Sequence, residues 1–245
     1  MYKCLVSGGC SFAYGFNLLK REHRYAKILA DRINADLIDV SAAGMTNEFI
    51  AAATVSGIIK AMEVKYYKPE EILVLVGWTS TERFEYFNRR VGRIMSGFTN
   101  IAHHLNGDMQ QEDRDRSEYM SKVLWDPSYG YYKLIHAFNY LHSFCKAHNI
   151  RIIHKANIIH VRARFPYIRL RNTEVKNSDL IQEALTAEFE EVFNVCSGER
   201  TFQELVMKNP LLYTIDPKYD THPNPAGHAM WAEKLVEKHP EFTIT

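Results

Sequence analysis

The segment Cys4-Leu5-Val6-Ser7-Gly8-Gly9-Cys10-Ser11-Phe12 begins with a short apolar run that two glycines bring to an end. A short continuous apolar run is typical of a central parallel strand, buried on both faces, rather than of an edge strand. Ser11 therefore stands on the turn that leaves the first strand. Functional groups in parallel sheets gather beyond the carboxyl ends of the strands, so Ser11 is a candidate site residue.

Strand-like and helix-like segments alternate along the rest of the chain. Apolar spacing predicts helices over residues 25–33, after Asn47 and over residues 131–147, with strands over residues 36–40, 71–76 and 149–154. This alternation implies a parallel sheet with right-handed crossovers and helices on both faces. We therefore predict an α/β fold with three layers, α/β/α, around a central parallel sheet. No linker or repeat divides residues 1–245, so one domain is expected, with insertions near 97–127 and 161–207.

The composition is that of a soluble globular protein, with 46% hydrophobic and 24% charged residues among 245. A net charge of +1 gives no support for nucleic acid or an anionic membrane as a partner. There is no apolar stretch long enough for a signal peptide or a membrane span, and the four cysteines form no Cys-x-x-Cys pair. A cytoplasmic protein is expected, or a virion protein assembled in a host cytoplasm. The oligomeric state stays unknown.

A second candidate cluster is Asp220-Thr221-His222-Pro223-Asn224-Pro225-Ala226-Gly227-His228, which precedes an apolar-periodic helix over residues 229–236. Its prolines and glycine predict that Asp220 and His222 lie on a loop before that helix. A carboxylate two residues from an imidazole can hydrogen-bond it and stabilise the cation that forms when it acts as a general base. With Ser11 as nucleophile, this pair would complete a triad. Asp216 is an alternative orienting carboxylate.

Short blocks of the sequence resemble those of the SGNH (GDSL-like) hydrolase superfamily. Gly9-Cys10-Ser11-Phe12 resembles the first block, with Cys10 in place of the usual Asp, and Ala43-Gly44-Met45-Thr46-Asn47 resembles the second. Asp220-Thr221-His222-Pro223-Asn224 is similar to the last block, although the family more often spaces Asp and His three apart.

The third block is the least similar. In Val74-Leu75-Val76-Gly77-Trp78-Thr79-Ser80, Thr79 stands roughly where the family has an oxyanion Asn. The Trp-Thr-Ser…Arg form of this block resembles SGNH-like proteins often carried by tailed bacteriophages.

The resemblance implies a flavodoxin-like SGNH hydrolase fold and a serine esterase, with Ser11 as nucleophile, His222 as base and Asp220 as the orienting carboxylate. The N–H groups of Ser11 and Gly44, with Thr79, would bind the oxyanion. Asn47 and Arg83, the latter on a following helix, are further candidates for oxyanion or substrate binding. An ester is the expected substrate, namely an O-acyl group on a carbohydrate, and neither a metal nor an organic cofactor is required.

Several alternatives remain open from the sequence. The same acyl-enzyme could be resolved by a sugar hydroxyl, as in an O-acyltransferase. The altered third block and the Asp–His spacing favour a non-catalytic SGNH-like binding or structural module, as in a phage particle. Gly-Gly-x-Ser is also a phosphate-binding turn in flavodoxin-like nucleotide binders. Asp220, His222 and His228 could be metal ligands, although no third-ligand motif accompanies them.

Three of the candidate residues also have purely structural interpretations. Gly44 could be a simple turn residue, since glycine supplies a positive φ. Asn47 could cap the helix that follows it. Arg83 could pair with Glu82 or Glu85 on the surface.

Overall fold

The computed structural model describes residues 1–88, 93–98, 127–158 and 201–243, with positions 111, 115, 118–120 and 122 between them. Most of both predicted insertions, near 97–127 and near 161–207, lies outside these residues. The strands are β1 (Cys4–Gly9), β2 (Asp36–Asp39), β3 (Ile72–Trp78), β4 (Arg83–Asn88), β5 (Arg93–Phe98), β6 (Arg151–Ala156), β7 (Thr214–Asp216) and β8 (Asp220–Pro223). The α-helices are α1 (Ser11–Tyr14), α2 (Tyr25–Arg32), α3 (Asn47–Glu63), α4 (Pro127–Ala147), α5 (Phe202–Val206), α6 (Pro210–Tyr213) and α7 (Pro225–Lys238).

The centre of the protein is a parallel sheet with the strand order β2-β1-β3-β6. Every residue of β1 and β3 is buried, which explains why both read as continuous apolar segments. The register places Gly9 opposite Gly77, and Gly77 opposite Lys155. The carboxyl ends of β1, β3 and β6 therefore reach the same edge of the sheet, as the alternating pattern predicted.

Helices cover both faces of this sheet, which confirms the three-layer α/β/α prediction. On one face, α3 packs against β1 and β3 and also against α4. On the other face, α2 packs against β1, β2 and α7. An aromatic cluster fills that second layer: the ring of Phe202 lies 5.7 Å from Phe12, 5.6 Å from Tyr25 and 5.1 Å from Trp231 between centroids.

Some local predictions were wrong for identifiable reasons. The cap of α3 is Thr46, whose hydroxyl accepts a hydrogen bond from the N–H of Phe49 at 3.3 Å, and Asn47 is the first helical residue. Asp220 and His222 lie on strand β8, which pairs with β7 in a short hairpin, rather than on a loop. Arg83 lies on strand β4 of a second hairpin, not on a helix.

The last helix begins earlier than its apolar spacing indicated, at Pro225. Proline is tolerated at the first helical position, where its missing N–H costs nothing. The side chain of Asn224 caps the helix by accepting a hydrogen bond from the N–H of Gly227 at 3.0 Å.

Within the described residues, no helix combines the length and the apolar character that crossing a membrane would need.

Candidate active site

Ser11 lies on a tight turn at the end of the central strand β1. It is the first residue of α1, and only 6% of it is exposed. Glycine is needed two residues before it, because a Cβ on Gly9 would lie 2.5 Å from the Cβ of Ala13 and 3.2 Å from the carbonyl oxygen of Gly77. The helix stops after one turn at Gly15, where φ is +69° and the N–H bonds the carbonyl of Ser11.

Asp220 and His222 form a hydrogen-bonded pair on β8. Nδ1 of His222 lies 2.6 Å from Oδ1 of Asp220, and the same oxygen accepts the backbone N–H of His222 at 3.0 Å. The carboxylate of Asp216 instead accepts the backbone N–H groups of Lys218 and Tyr219 and closes the turn of the hairpin. Among the described residues, Asp220 is therefore the carboxylate that orients the ring. A ring that donates through Nδ1–H keeps the lone pair of Nε2 free.

The ionisation of Asp220 suits this role. Burial raises the pKa of Asp220, but hydrogen bonds from the amide of Asn17 and from the backbone and ring of His222 outweigh it and lower that pKa below its usual value. Asp220 is therefore an ionised hydrogen-bond acceptor at neutral pH.

The segment that follows Ser11 packs directly against His222. The ring of His222 lies 5.3 Å from that of Phe12 and 5.0 Å from that of Phe16, measured between centroids. Ser11 and His222 are thus brought to the same end of the sheet from opposite ends of the chain. Across the described residues, no hydrogen bond joins the hydroxyl of Ser11 to His222. Such bonds are often long before substrate binds.

Gly44 lies on the loop between β2 and α3, with φ at +80°, a conformation that favours glycine. The N–H of Ala42, in the same loop, donates to the carbonyl of Gly9 at 3.2 Å and so ties the loop to the end of β1. In the described part of the chain, no acceptor is bonded to the N–H of Gly44 or to that of Ser11. Both groups could therefore donate to a bound oxyanion.

Asn47 and Thr79 bind each other and join two of the loops around the site. The N–H of Thr79 donates to Oδ1 of Asn47 at 2.9 Å, and Nδ2 of Asn47 donates to the carbonyl of Thr79 at 3.1 Å. The amide of Asn47 thus holds the backbone of Thr79. The hydroxyl of Thr79 is buried, and no described residue bonds it.

Arg83 is buried, with 6% exposed, rather than at the surface position that pairing with Glu82 or Glu85 would require. Its Nη1 donates to the carbonyl of Met45 at 2.9 Å. Burial lowers the pKa of Arg83, and the nearby Cys10 opposes this shift. On the same strand, Glu85 accepts a hydrogen bond from the hydroxyl of Thr46. These two hydrogen bonds connect strand β4 to the loop that carries Gly44.

The sequence did not identify Asn17 as a site residue. Its side-chain Nδ2 donates to Oδ2 of Asp220 at 2.6 Å across 203 positions of the chain. Its backbone is left-handed, with φ at +61°. Asparagine tolerates that conformation better than most residues, so the sequence signals a turn here and nothing about a contact with Asp220.

His228 has a structural role in the first turn of α7. It is fully buried, and its Nδ1 accepts the backbone N–H of Tyr25 at 3.2 Å. Burial, with smaller effects from Arg24, His222 and His23, lowers its pKa to about 3. Among the described residues, no group of three or more His, Cys, Asp or Glu side chains is placed to hold a metal ion.

Comparisons with known proteins give a family and several similar structures. The sequence model of a family of unknown function (DUF6071) matches residues 11–179. No curated protein matches the chain.

Among solved structures, a member of the lipolytic protein G-D-S-L family from Veillonella parvula is 12% identical, with 97% of this chain and 98% of that chain covered and a TM-score of 0.48. The psychrotrophic esterase EstA from Pseudoalteromonas sp. is 12% identical, with 96% and 95% covered and a TM-score of 0.46. An acetyl xylan esterase (Est2A) from Butyrivibrio proteoclasticus is 15% identical, with 97% and 63% covered and a TM-score of 0.46.

Proposed function

This chain belongs to DUF6071, a family of unknown function, and we propose that it is a serine esterase of the SGNH type. The proposed reaction is hydrolysis of an ester through an acyl-enzyme on Ser11, with an O-acylated carbohydrate as the substrate. Because the family description assigns no activity, the proposal rests on the residues of the site.

The observation that carries the proposal is the Asp220–His222 pair packed against the turn of Ser11. The 2.6 Å contact between Oδ1 and Nδ1 selects the tautomer in which Nε2 can accept a proton. Phe12, which follows Ser11 directly, contacts the same imidazole ring at 5.3 Å between centroids. A base with its acceptor nitrogen free and a serine on the adjoining turn are the two components that nucleophilic acyl transfer needs.

In the proposed mechanism, Oγ of Ser11 attacks the acyl carbon while Nε2 of His222 takes its proton. The negatively charged Asp220 stabilises the imidazolium that forms. Collapse of the tetrahedral intermediate breaks the bond to the alcohol oxygen, and His222 returns the proton to that oxygen. A water molecule, deprotonated by His222, then attacks the acyl carbon. Collapse of this second intermediate breaks the bond from the acyl carbon to Oγ of Ser11, His222 returns the proton to Oγ, and the acid is released.

Three groups are proposed to stabilise the negative oxygen of each tetrahedral intermediate. The N–H groups of Ser11 and Gly44 have no acceptor within the described residues. The hydroxyl of Thr79 is likewise without a described partner, and Asn47 holds its backbone in place. Losing one oxyanion donor typically costs about 10² to 10³ in kcat, so Thr79 would have to replace much of what the usual Asn supplies.

A non-catalytic binding module is the second candidate, and two observations favour it. Thr79 is fully buried, which limits the access of its hydroxyl to a substrate. In the part of the chain that is described, Ser11 and His222 share no hydrogen bond. A module of this kind would bind its ligand beside Ser11 without forming a covalent bond.

The test is hydrolysis of short p-nitrophenyl esters and of acetylated oligosaccharides by the wild type, Ser11→Ala and His222→Ala. The matched controls are Ser56→Ala, at an exposed serine on α3, and His148→Ala, at an exposed histidine after α4. We expect turnover to be lost in the first two variants and retained in both controls. Equal turnover in all five proteins would contradict the proposal, and movement of the acyl group from a p-nitrophenyl ester onto an added unacylated sugar would indicate transfer instead of hydrolysis.

A further inference from the structure

Asn17 lies where the turn that carries Ser11 meets the strand that carries His222. We propose that Asn17 is a positioning residue, which fixes the carboxylate of Asp220 so that His222 faces the nucleophile. This inference rests on the proposed function. It adds a fourth residue, from the N-terminal segment, to the set formed by Ser11, Asp220 and His222.

The backbone turn after Ser11 places the side-chain amide of Asn17 next to Asp220. Gly15 has φ at +69° and Asn17 has φ at +61°, so the chain makes two left-handed steps within three positions. The N–H groups of Phe16 and Leu18 close this turn on the carbonyls of Ser11 and Gly15, at 3.0 and 3.1 Å. A Cβ on Gly15 would lie 2.6 Å from Cγ of Arg24, so the turn has little room to relax. The turn thereby fixes the position of the Asn17 amide relative to Ser11.

The carboxylate of Asp220 has a separate donor for each oxygen. Oδ1 binds the ring and the backbone N–H of His222, while Oδ2 accepts Nδ2 of Asn17 at 2.6 Å. Donors on both oxygens resist rotation of the carboxylate about its Cβ–Cγ bond. Among the described donors to Asp220, the amide of Asn17 is the one that comes from the segment that carries Ser11, so this hydrogen bond links the acid–base pair directly to that segment.

Phe16, the residue before Asn17, contacts the other partner of the pair. Its ring lies 5.0 Å from that of His222, and 38% of the residue is exposed. Asn17 and Phe16 therefore hold Asp220 and His222 from the same turn. Loss of the Asn17 amide would leave Oδ2 of Asp220 to solvent and free the carboxylate to turn away from Nδ1 of His222.

The test compares Asn17→Gly and Asn17→Asp with the same changes at Asn34. Glycine accepts the left-handed backbone and removes the amide, while aspartate keeps the size but replaces the donor with a second carboxylate. Asn34 is the matched control because it has φ at +53° at the end of α2, away from Asp220. The measurements are kcat and KM across pH, with the urea midpoint to verify folding.

We expect Asn17→Gly to lower kcat about tenfold, as for loss of one hydrogen bond to a charged group, with KM unchanged. Asn17→Asp should also lower kcat, and its added negative charge should move the acid limb of kcat/KM upward by about half a pH unit. The Asn34 variants should match the wild type in every kinetic constant. In NMR spectra, the Nδ1 proton of His222 should be visible in the wild type and broadened by exchange with water in Asn17→Gly.

Different failures have different meanings. If the Asn17 variants match the wild type while Ser11→Ala is inactive, the positioning role is wrong and the esterase proposal stands. A rise in KM with kcat unchanged would also overturn the positioning role, because it would place Asn17 in contact with substrate. If the wild type has no turnover that depends on Ser11, both proposals are wrong.

Discussion

His228 should make the folded protein sensitive to acid. Because burial lowers its pKa from 6.5 to about 3, the unfolded chain binds a proton at this position below pH 6.5 and the folded chain does not. Its contribution to stability is therefore complete above pH 6.5 and is lost as the pH falls towards 3. The loss is about 1.4 kcal/mol per pH unit, or about 2 kcal/mol by pH 5.

The variant His228→Phe separates this titration from packing. The phenyl ring can keep the contacts with Tyr25 and Phe202, now 5.8 and 5.4 Å between centroids. It cannot accept the hydrogen bond from the N–H of Tyr25, and leaving that buried donor unsatisfied costs about 2 kcal/mol. The variant should therefore be less stable than the wild type at pH 7.5, equal to it near pH 5 and more stable at pH 4.5.

The assay is urea unfolding of both proteins from pH 7.5 to 4.5. Phe202→Leu is the control, since it changes the same aromatic cluster without a titrating group and should give a pH-independent loss. A constant difference in free energy of unfolding between the wild type and His228→Phe would refute the reasoning. It would mean that His228 is protonated in the folded protein or that its ring is exposed to water.

Three further predictions concern the residues around Ser11. Thr79→Val should leave the free energy of unfolding nearly unchanged in urea unfolding, because the buried hydroxyl has no described partner. If that hydroxyl binds the oxyanion, the same variant should lower kcat for ester hydrolysis about 10²-fold. Asn47→Ala removes both bonds to the backbone of Thr79 and should cost about 2 to 4 kcal/mol in urea unfolding, whereas an unchanged midpoint would mean that the pair contributes no stability. Gly77→Ala should lower the melting temperature measured by circular dichroism, since its Cβ would lie 2.2 Å from Nδ2 of the buried Asn157; an unaltered melting temperature would show that Asn157 can move aside.

The sheet was predictable because its strands are buried on both faces. The continuous apolar runs that contain Val6 and Val74 are typical of central strands, and both segments are buried central strands. Glycine is required near the carboxyl ends of these strands because a side chain there would clash with neighbouring atoms. The boundaries were less predictable, since capping depends on single side chains. Thr46 and Asn47 are both good capping residues, and the choice between them follows from the bond that Asn47 makes to Thr79, far away in sequence.

Among the contacts of the candidate site, spacing in the sequence indicated directly the one between neighbours in the chain. Asp220 and His222 are two positions apart, so their pairing could be read from spacing, although the strand on which they lie could not. Asn17 contacts Asp220 across 203 positions, and no local pattern reports such a contact. The sequence left open whether Arg83 lies at the site or on the surface, because its burial depends on where the hairpin of β4 and β5 packs.

The esterase proposal is tested most directly by peptide mapping after reaction with a fluorophosphonate. This reagent phosphonylates a serine whose proton an adjacent base can take, and mass spectrometry locates the adduct. We predict one adduct per chain, on Ser11, that is absent from His222→Ala and present in His148→Ala. A wild-type protein that stays unlabelled at Ser11, or labelling that persists in His222→Ala, would contradict the account.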